Sequence, residues 1–358
     1  MEKPVMPSFT SPSARGGPVT ERIVIDDLSQ VGSARRAADA VARACELDDT
    51  RRGIVGIVAT EAATNLARHA RAGAFLTQST SHCGVAGVEL IAVDAGPGMH
   101  DLDRAFSDGF STGGTQGTGL GAIRRQADEL DVYTVPGQGT IVLARVFAQP
   151  PVRGAARDVL VDVGAVCLPV GGETACGDGW AVVQTAERAV VLLVDGLGHG
   201  VSAAEAADVA IATFRTHVVR SPSEIVTAVH EALRATRGAA LGVAAVTATG
   251  EGATVRFCGV GNTVAALVSE GARHALPSMN GTAGLQVRSM QEFTQPWTAG
   301  TMLVMHTDGI TTRWRADAYR GILVRDPAIL AAALQRDHMR GRDDATVLAF
   351  RLHSGGSR

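Results

Sequence analysis

Val191-Leu192-Leu193-Val194-Asp195-Gly196-Leu197-Gly198-His199-Gly200 is the stretch from which the rest of this chain is read. Its first four residues are apolar and predict a buried strand. Asp195 stands where that strand ends, and three of the next five residues are glycines, which keep side chains away from it. Such a stretch presents a carboxylate at the mouth of a sheet, with room beside it for a metal and a bulky anion. Asp-Gly is also an ordinary turn dipeptide, so the stretch alone is equally a strand followed by a glycine turn.

The aspartates around it shift that balance. Asp178 lies in a turn just before a strand over 180–185, which Ala186-Glu187-Arg188 joins to a strand over 189–194. This hairpin predicts Asp178 and Asp195 at the same end of a sheet, because antiparallel neighbours start and finish together. Two carboxylates at one end repel unless a cation lies between them. Thr301 to Ile310 is another strand ending in Asp-Gly, at Asp308, and Asp343-Asp344 precede the last strand, Ala345 to Arg351. Acidic residues gathered at strand ends make a metal centre the better reading.

In order, GDGW, DGLGHG, TDGI and DDATV resemble the PPM-type metal-dependent Ser/Thr phosphatases, in their SpoIIE-like branch, over residues 158–353. The resemblance implies that Asp178, Asp195, Asp308 and Asp343, with the backbone carbonyl of Gly196, ligate two Mn²⁺ or Mg²⁺ ions. A bridging water of lowered pKa would then attack phosphorus in line. His199 either protonates the leaving serine oxygen or is a turn histidine held by backbone contacts. Asp344 is expected to support the site or be solvated rather than to ligate. No arginine stands out as the phosphate-binding one of larger family members.

The first half carries a second constellation. Residues 19–26 alternate and predict a strand, and Leu28 to Cys45 has helical periodicity. Asp48 and Asp49 are N-cap candidates for a helix from Thr50 to His69. On it Glu61, Asn65 and His69 share one face, while Ile54, Ile57, Val58, Ala62 and Leu66 face the core. The polar row is either a solvated face or a site in which Asn65 offers an oxygen to a hard cation and Glu61 acts as a base. Val88 to Val93 is a strand leading into Asp94-Ala95-Gly96-Pro97-Gly98-Met99. A glycine-rich loop over 107–121 then opens a helix over 122–130, and such a loop at a helix N-terminus suits phosphate. It is neither a Walker loop nor a Rossmann fingerprint.

EAATNLARHA, VDAGPGM and SDGFSTGGTQGTGLGAIRRQAD together resemble the GHKL ATP-binding fold, among them the small anti-sigma-factor and stressosome switch kinases, over about residues 19–147. The resemblance implies ATP with Mg²⁺. Asn65 would hold Mg²⁺ against the phosphates and Glu61 would polarise the acceptor hydroxyl. Asp94 would accept from the adenine amino group, with Gly96 and Gly98 allowing close approach of the base. Gly117, Gly119 and Gly121 would wrap the phosphates. The acceptor in that family is a Ser or Thr of a STAS-type partner.

Composition is consistent with this and closes other routes. The 358 residues suit two or three domains. Aromatic residues make up only 4%, too few for base-stacking platforms, and a net charge of −3 gives no pull toward nucleic acid or membrane. The five cysteines lack CxxC or zinc spacing and read as buried residues or free thiols. Without a spanning apolar run or a leader pattern, the expectation is a soluble cytoplasmic protein.

The expected fold is therefore a two-domain α/β (α+β) protein. A mobile tail (1–18) precedes a GHKL α/β sandwich with a mixed sheet (19–147). A Pro-Pro linker (148–157) leads to an αββα sandwich with two antiparallel sheets (158–353). The expected function is a bifunctional regulator that phosphorylates and dephosphorylates Ser/Thr of STAS-type partners. The alternatives are a phosphatase whose ATP-binding domain only senses nucleotide or docks a partner, and a non-catalytic regulator-binding module. Homodimerisation stays open at this stage.

Overall fold

The computed structural model describes residues 17–106, 119–151, 159–250 and 252–353. They form two compact units, the described residues of 20–151 in the first and those of 17–19 and 159–353 in the second.

The first unit runs β1 (Glu21–Ile25), α1 (Val31–Ala44), α2 (Asp49–His69), β2 (Gly73–His82), β3 (Val85–Val93), the short α3 (Leu102–Ala105), α4 (Gly119–Gln126), β4 (Glu129–Val135) and β5 (Gly139–Phe147). Asp48 caps α2 by accepting from the Arg51 N–H at 2.7 Å, which satisfies a donor the helix cannot use itself. The sheet order is β1-β2-β3-β5-β4. Alternate residues of β3, Val88, Leu90 and Ala92, join Phe75 and Val146 in a core with Ala34 and Ala38 of α1 and Val55 and Val58 of α2. The layout is a sheet covered by helices.

Three expectations for this unit need correction. The sheet is not mixed: every pairing among the described residues is antiparallel. β3 and β4 run in the same direction, but β5 lies between them, so no parallel ladder forms. The helix expected over 122–130 ends at Gln126, and Glu129 and Leu130 already pair with Arg145 and Ala144 of β5. Ile57, expected in the core, is 45% exposed.

The second unit contains two five-stranded sheets. Its strands are β6 (Val161–Leu168), β7 (Asp178–Gln184), β8 (Arg188–Gly196), β9 (Ala239–Thr249), β10 (Gly252–Val260), β11 (Val264–Ser269), β12 (Ala272–Leu276), the two-residue β13 (Gly281–Thr282) and β14 (Gln286–Val287), β15 (Phe293–Trp297), β16 (Met302–His306) and β17 (Ala345–Leu352). Its helices are α5 (Val201–His217), α6 (Pro222–Ala232) and α7 (Pro327–His338). One sheet has the order β15-β10-β9-β8-β7 and the other β12-β11-β16-β17-β6, and all their pairings are antiparallel, as expected.

Strand alternation decides what each face does. In β8, Val191 and Leu193 point into the core between the sheets, with Leu303, Met305, Leu348 and Phe350. Val190, Leu192 and Val194 point the other way, under Ala206, Ala210 and Phe214 of α5 and Ile225 and Val229 of α6. α7 packs on β6 and β17 of the second sheet, which completes an αββα sandwich. The same period of two carries Asp195 onto the inter-sheet side, in line with Val191 and Leu193. Trp180 and Val182 of β7 are also inter-sheet residues, so Asp178 shares that side.

Gly17 and Pro18 are described as part of this unit. The Gly17 N–H donates to the Trp180 carbonyl at 2.6 Å, and the Trp180 indole donates to the Pro18 carbonyl at 3.3 Å.

Candidate functional site

In the first unit the expected nucleotide residues lie on two segments. β3 delivers Asp94, whose N–H donates to the Thr140 carbonyl at 2.9 Å. The following loop is held at several points. Gly96 N–H donates to Asp94 Oδ1 at 2.6 Å, Met99 N–H to Thr134 Oγ1 at 2.8 Å, and Gly137 N–H to the Pro97 carbonyl at 2.7 Å. A Cβ on Gly96 would lie 2.7 Å from Asp94 Oδ1 and 3.2 Å from the His69 carbonyl, so this loop sits against the end of α2. Gly98 has a left-handed φ of 67°.

Asn65 and Gly119 meet. A Cβ on Gly119, the first residue of α4, would fall 2.7 Å from Asn65 Oδ1. The side chain expected to hold Mg²⁺ therefore lies at the N-terminal end of the helix expected to meet phosphate, where unpaired N–H groups attract anions. Gly121 is buried in that helix, and Glu61 is half-buried one turn before Asn65 on α2. Gly117 lies outside the described residues.

In the second unit the four expected aspartates come from the ends of both sheets. Asp178 and Asp195 are direct partners in the β7–β8 ladder. Asp308 follows β16 and Asp343 precedes β17, strands that are neighbours in the other sheet. Their charges are felt mutually. Burial, and then the Asp195 charge, push Asp178 well above the ordinary carboxylate range. Burial, followed by Asp308 and Asp343, pushes Asp195 up to about 7. Asp308 is raised by burial and then by Asp343. The backbone of Gly196 is fixed by its N–H donating to the Gly177 carbonyl at 3.0 Å.

Among the described residues no three His, Cys, Asp or Glu side chains are drawn together as around a bound ion. Some of these carboxylate oxygens accept hydrogen bonds from neighbours. Thr307 Oγ1 donates to Asp178 Oδ2 at 2.7 Å, and Asn262 Nδ2 donates to Asp308 Oδ2 at 2.6 Å. The donor chemistry nevertheless fits a hard divalent cation: oxygen ligands, partly desolvated and mutually repelling.

Other residues complete the site, and all of them but Asp344 escaped the sequence reading. Asp344, expected to support the site or be solvated, is only 3% exposed and accepts two backbone N–H groups. Val170 donates to its Oδ1 and Gly177 to its Oδ2, each at 2.7 Å, so one carboxylate ties down both ends of the 170–177 loop. Thr307 and Asn262 follow β16 and β10 as turn residues; only their positions beside TDG and GN turns could have marked them. Two arginines also approach. A Cβ on Gly198 would lie 3.2 Å from Arg237 Nη1, and the Arg340 charge acts to lower Asp308.

Fold and site define the class: an α/β sandwich of the GHKL kind, and an αββα sandwich of the PPM kind with aspartates at one end of its inter-sheet core. The family profiles agree. Residues 24–146 match the histidine kinase-like ATPase domain, and residues 185–353 match Stage II sporulation protein E (SpoIIE). The chain thus carries a histidine kinase-like ATPase domain followed by a SpoIIE-type domain. It is 36% identical over 85 residues to the serine/threonine-protein kinase RsbT of Bacillus subtilis (strain 168), a match covering 24% of this chain and 64% of that relative. Similar solved structures include RsbX in complex with magnesium, at 20% identity and TM-score 0.49, covering 54% of this chain and 96% of that one. Another is the PP2C phosphatase domain with a regulatory fragment of SpoIIE from Bacillus subtilis, at 17% identity and TM-score 0.47, covering 74% and 78%. No helix among the described residues is long and apolar enough to cross a membrane.

Proposed function

We propose that the chain is a bifunctional switch: its first unit phosphorylates a Ser or Thr of a STAS-type regulator, and its second removes phosphate from the same or a related regulator. The observation that carries the reading is the convergence of mutually repelling aspartates from two sheets at one end of the second unit. Such an arrangement is costly unless cations offset it. Asp178, Asp195, Asp308, Asp343 and the Gly196 carbonyl would hold two Mn²⁺ or Mg²⁺ ions, which when bound supply a nucleophilic water and charge for the phosphate.

In the first unit the meeting of Asn65 with the start of α4 supports ATP with Mg²⁺. Glu61 takes the acceptor hydroxyl proton, Asp94 receives the adenine amino group, and Gly96, Gly98, Gly117, Gly119 and Gly121 let backbone approach the nucleotide. The similarity to RsbT supports a protein acceptor. The domain bounds that go with this reading are 19–147 and 158–353, and the setting is cytoplasmic.

The test is intact mass of a purified STAS-domain protein incubated with ATP, Mg²⁺ and the Asp195→Asn variant, in which phosphatase activity should be silent. One added phosphate, lost when Asn65→Ala is also introduced, supports the kinase. Binding of the partner without phosphate transfer reduces the first unit to a nucleotide-gated adaptor.

A further inference from the structure

His199 is the residue of the opening stretch whose role the sequence leaves divided between a proton donor and a turn histidine. The structure adds a partner for it. His199 Nδ1 lies 2.9 Å from Glu173 Oε1. A carboxylate only accepts, so Nδ1 carries the hydrogen in this bond and Nε2 is the nitrogen that faces away from Glu173. Both residues are placed by backbone. His199 stands between Gly198 and Gly200, whose φ values of 84° and 75° are left-handed. A Cβ on Gly200 would come within 3.2 Å of Glu173 Oε2, so glycine there leaves room for the carboxylate. Glu173 is in the 170–177 loop, whose two ends are tied to Asp344. A Cβ on Gly177 would lie 2.8 Å from Asp344 Oδ2 and 3.4 Å from the carbonyl of Gly198, so the turn that carries His199 stands at the aspartate end of the sandwich.

A half-exposed pair of this kind contributes little to stability, with side chains 56% and 36% exposed. Its geometry is that of an imidazole oriented by a carboxylate. We propose that Glu173 is a positioning residue that aims His199 Nε2 at the leaving oxygen of a phosphoserine or phosphothreonine, and so suits the second unit to alkyl phosphate esters. This rests on the phosphatase reading. In the step, a water oxygen bonds to phosphorus as the P–Oγ bond breaks. The imidazolium gives its Nε2 proton to the departing Oγ, whose bond pair becomes the new O–H bond. The N–H pair stays on Nε2, and the neutral ring, still donating through Nδ1 to Glu173, is reprotonated from solvent.

Serine and threonine leave as alkoxides unless protonated, whereas 4-nitrophenolate leaves readily without a proton. The test therefore compares a phosphoserine peptide with 4-nitrophenyl phosphate, using the full chain with Mn²⁺. Glu173→Gln should lower kcat on the peptide about 10- to 100-fold, within the usual span for acid–base groups. Its loss on 4-nitrophenyl phosphate should be less than a tenth of that. His199→Gln should show the same split, and the double variant should be no slower than His199→Gln alone. Equal losses on both substrates, or no loss on the peptide, overturn the proposal while leaving the phosphatase reading intact. A wild-type chain that hydrolyses neither substrate sinks both. Unchanged thermal unfolding of Glu173→Gln separates lost positioning from lost fold.

Discussion

Asp178 and Asp195 sit directly opposite each other at the end of the β7–β8 hairpin, and each is held above the ordinary carboxylate range. A carboxyl group whose folded pKa is about 7 against an unfolded value of 3.8 makes the folded state take up protons in that window. Its favourable contribution is full below the unfolded value and disappears as pH rises through about 7. Metal-free protein should therefore lose stability as pH rises from 4 to 7, and Mn²⁺ should reverse the trend. Asp195→Asn should unfold no earlier than wild type in EDTA at pH 8, yet lose at least half of the Mn²⁺-induced rise in Tm. An undiminished rise in the variant would remove Asp195 from the metal ligands.

A buried histidine sets the opposite slope. His306 Nδ1–H donates to the Thr307 carbonyl at 2.8 Å, and Nε2 accepts from the Trp314 indole at 3.1 Å. The neutral ring is fully satisfied, and a second proton would face an N–H. Burial lowers its pKa from 6.5 to about 4. The stabilisation is complete above 6.5 and is lost as pH falls toward 4, roughly 3 kcal/mol in all. Urea unfolding at pH 7, 5.5 and 4.5, followed by tryptophan fluorescence, should show this loss, and His306→Gln should flatten it.

Asp344 offers a stability test apart from metals. Its two oxygens each accept one backbone N–H, and charge-assisted bonds of this type contribute about 1.5–3 kcal/mol each. Asp344→Ala should cost about 3 kcal/mol or more in chemical unfolding. Asp344→Asn keeps one acceptor oxygen and should cost less. Amide hydrogen exchange should speed up at Val170 and Gly177 in the alanine variant; exchange unchanged at both would mean the loop is held by other contacts.

In the first unit, Gly96→Ala would drive a methyl group against Asp94 Oδ1. ATP affinity, read with a fluorescent analogue, should fall at least tenfold while the unit stays folded. Gly53→Ala on the exposed side of α2 is the control, since nothing lies within 4 Å of its Cβ. It should leave ATP affinity alone and raise stability by about 0.5–1 kcal/mol. Equal ATP binding by both variants would detach the Asp94 loop from nucleotide recognition.

What the sequence made legible follows from its periods. The alternation in 180–185 and 189–194 and the short turn between them were enough to place Asp178 beside Asp195, because hairpin geometry is local. Asp48 was readable as a cap for the same reason. Long-range ties were not. Nothing near Asp344 in the chain signals that its partners are Val170 and Gly177, since strand pairing of β6 with β17 brings those segments together. Glu173 gave no local sign of meeting His199. The first two residues of β4, Glu129 and Leu130, read as helix because they continue an Ala- and Arg-rich run; pairing with β5 overrides that propensity.

The alternation along β8 has one last effect. Val191, Leu193 and Asp195 are successive teeth on one edge of the same strand, while Val190, Leu192 and Val194 engage the helices. Deleting Leu192 or Leu193 would exchange the two edges beyond the cut, turning the carboxylate under α5 and Val194 toward the other sheet. The strand thus has a single reading frame in space. Any change that shifts it spoils core and carboxylate together, so the charged end of this sandwich inherits the rigidity of its most buried strand.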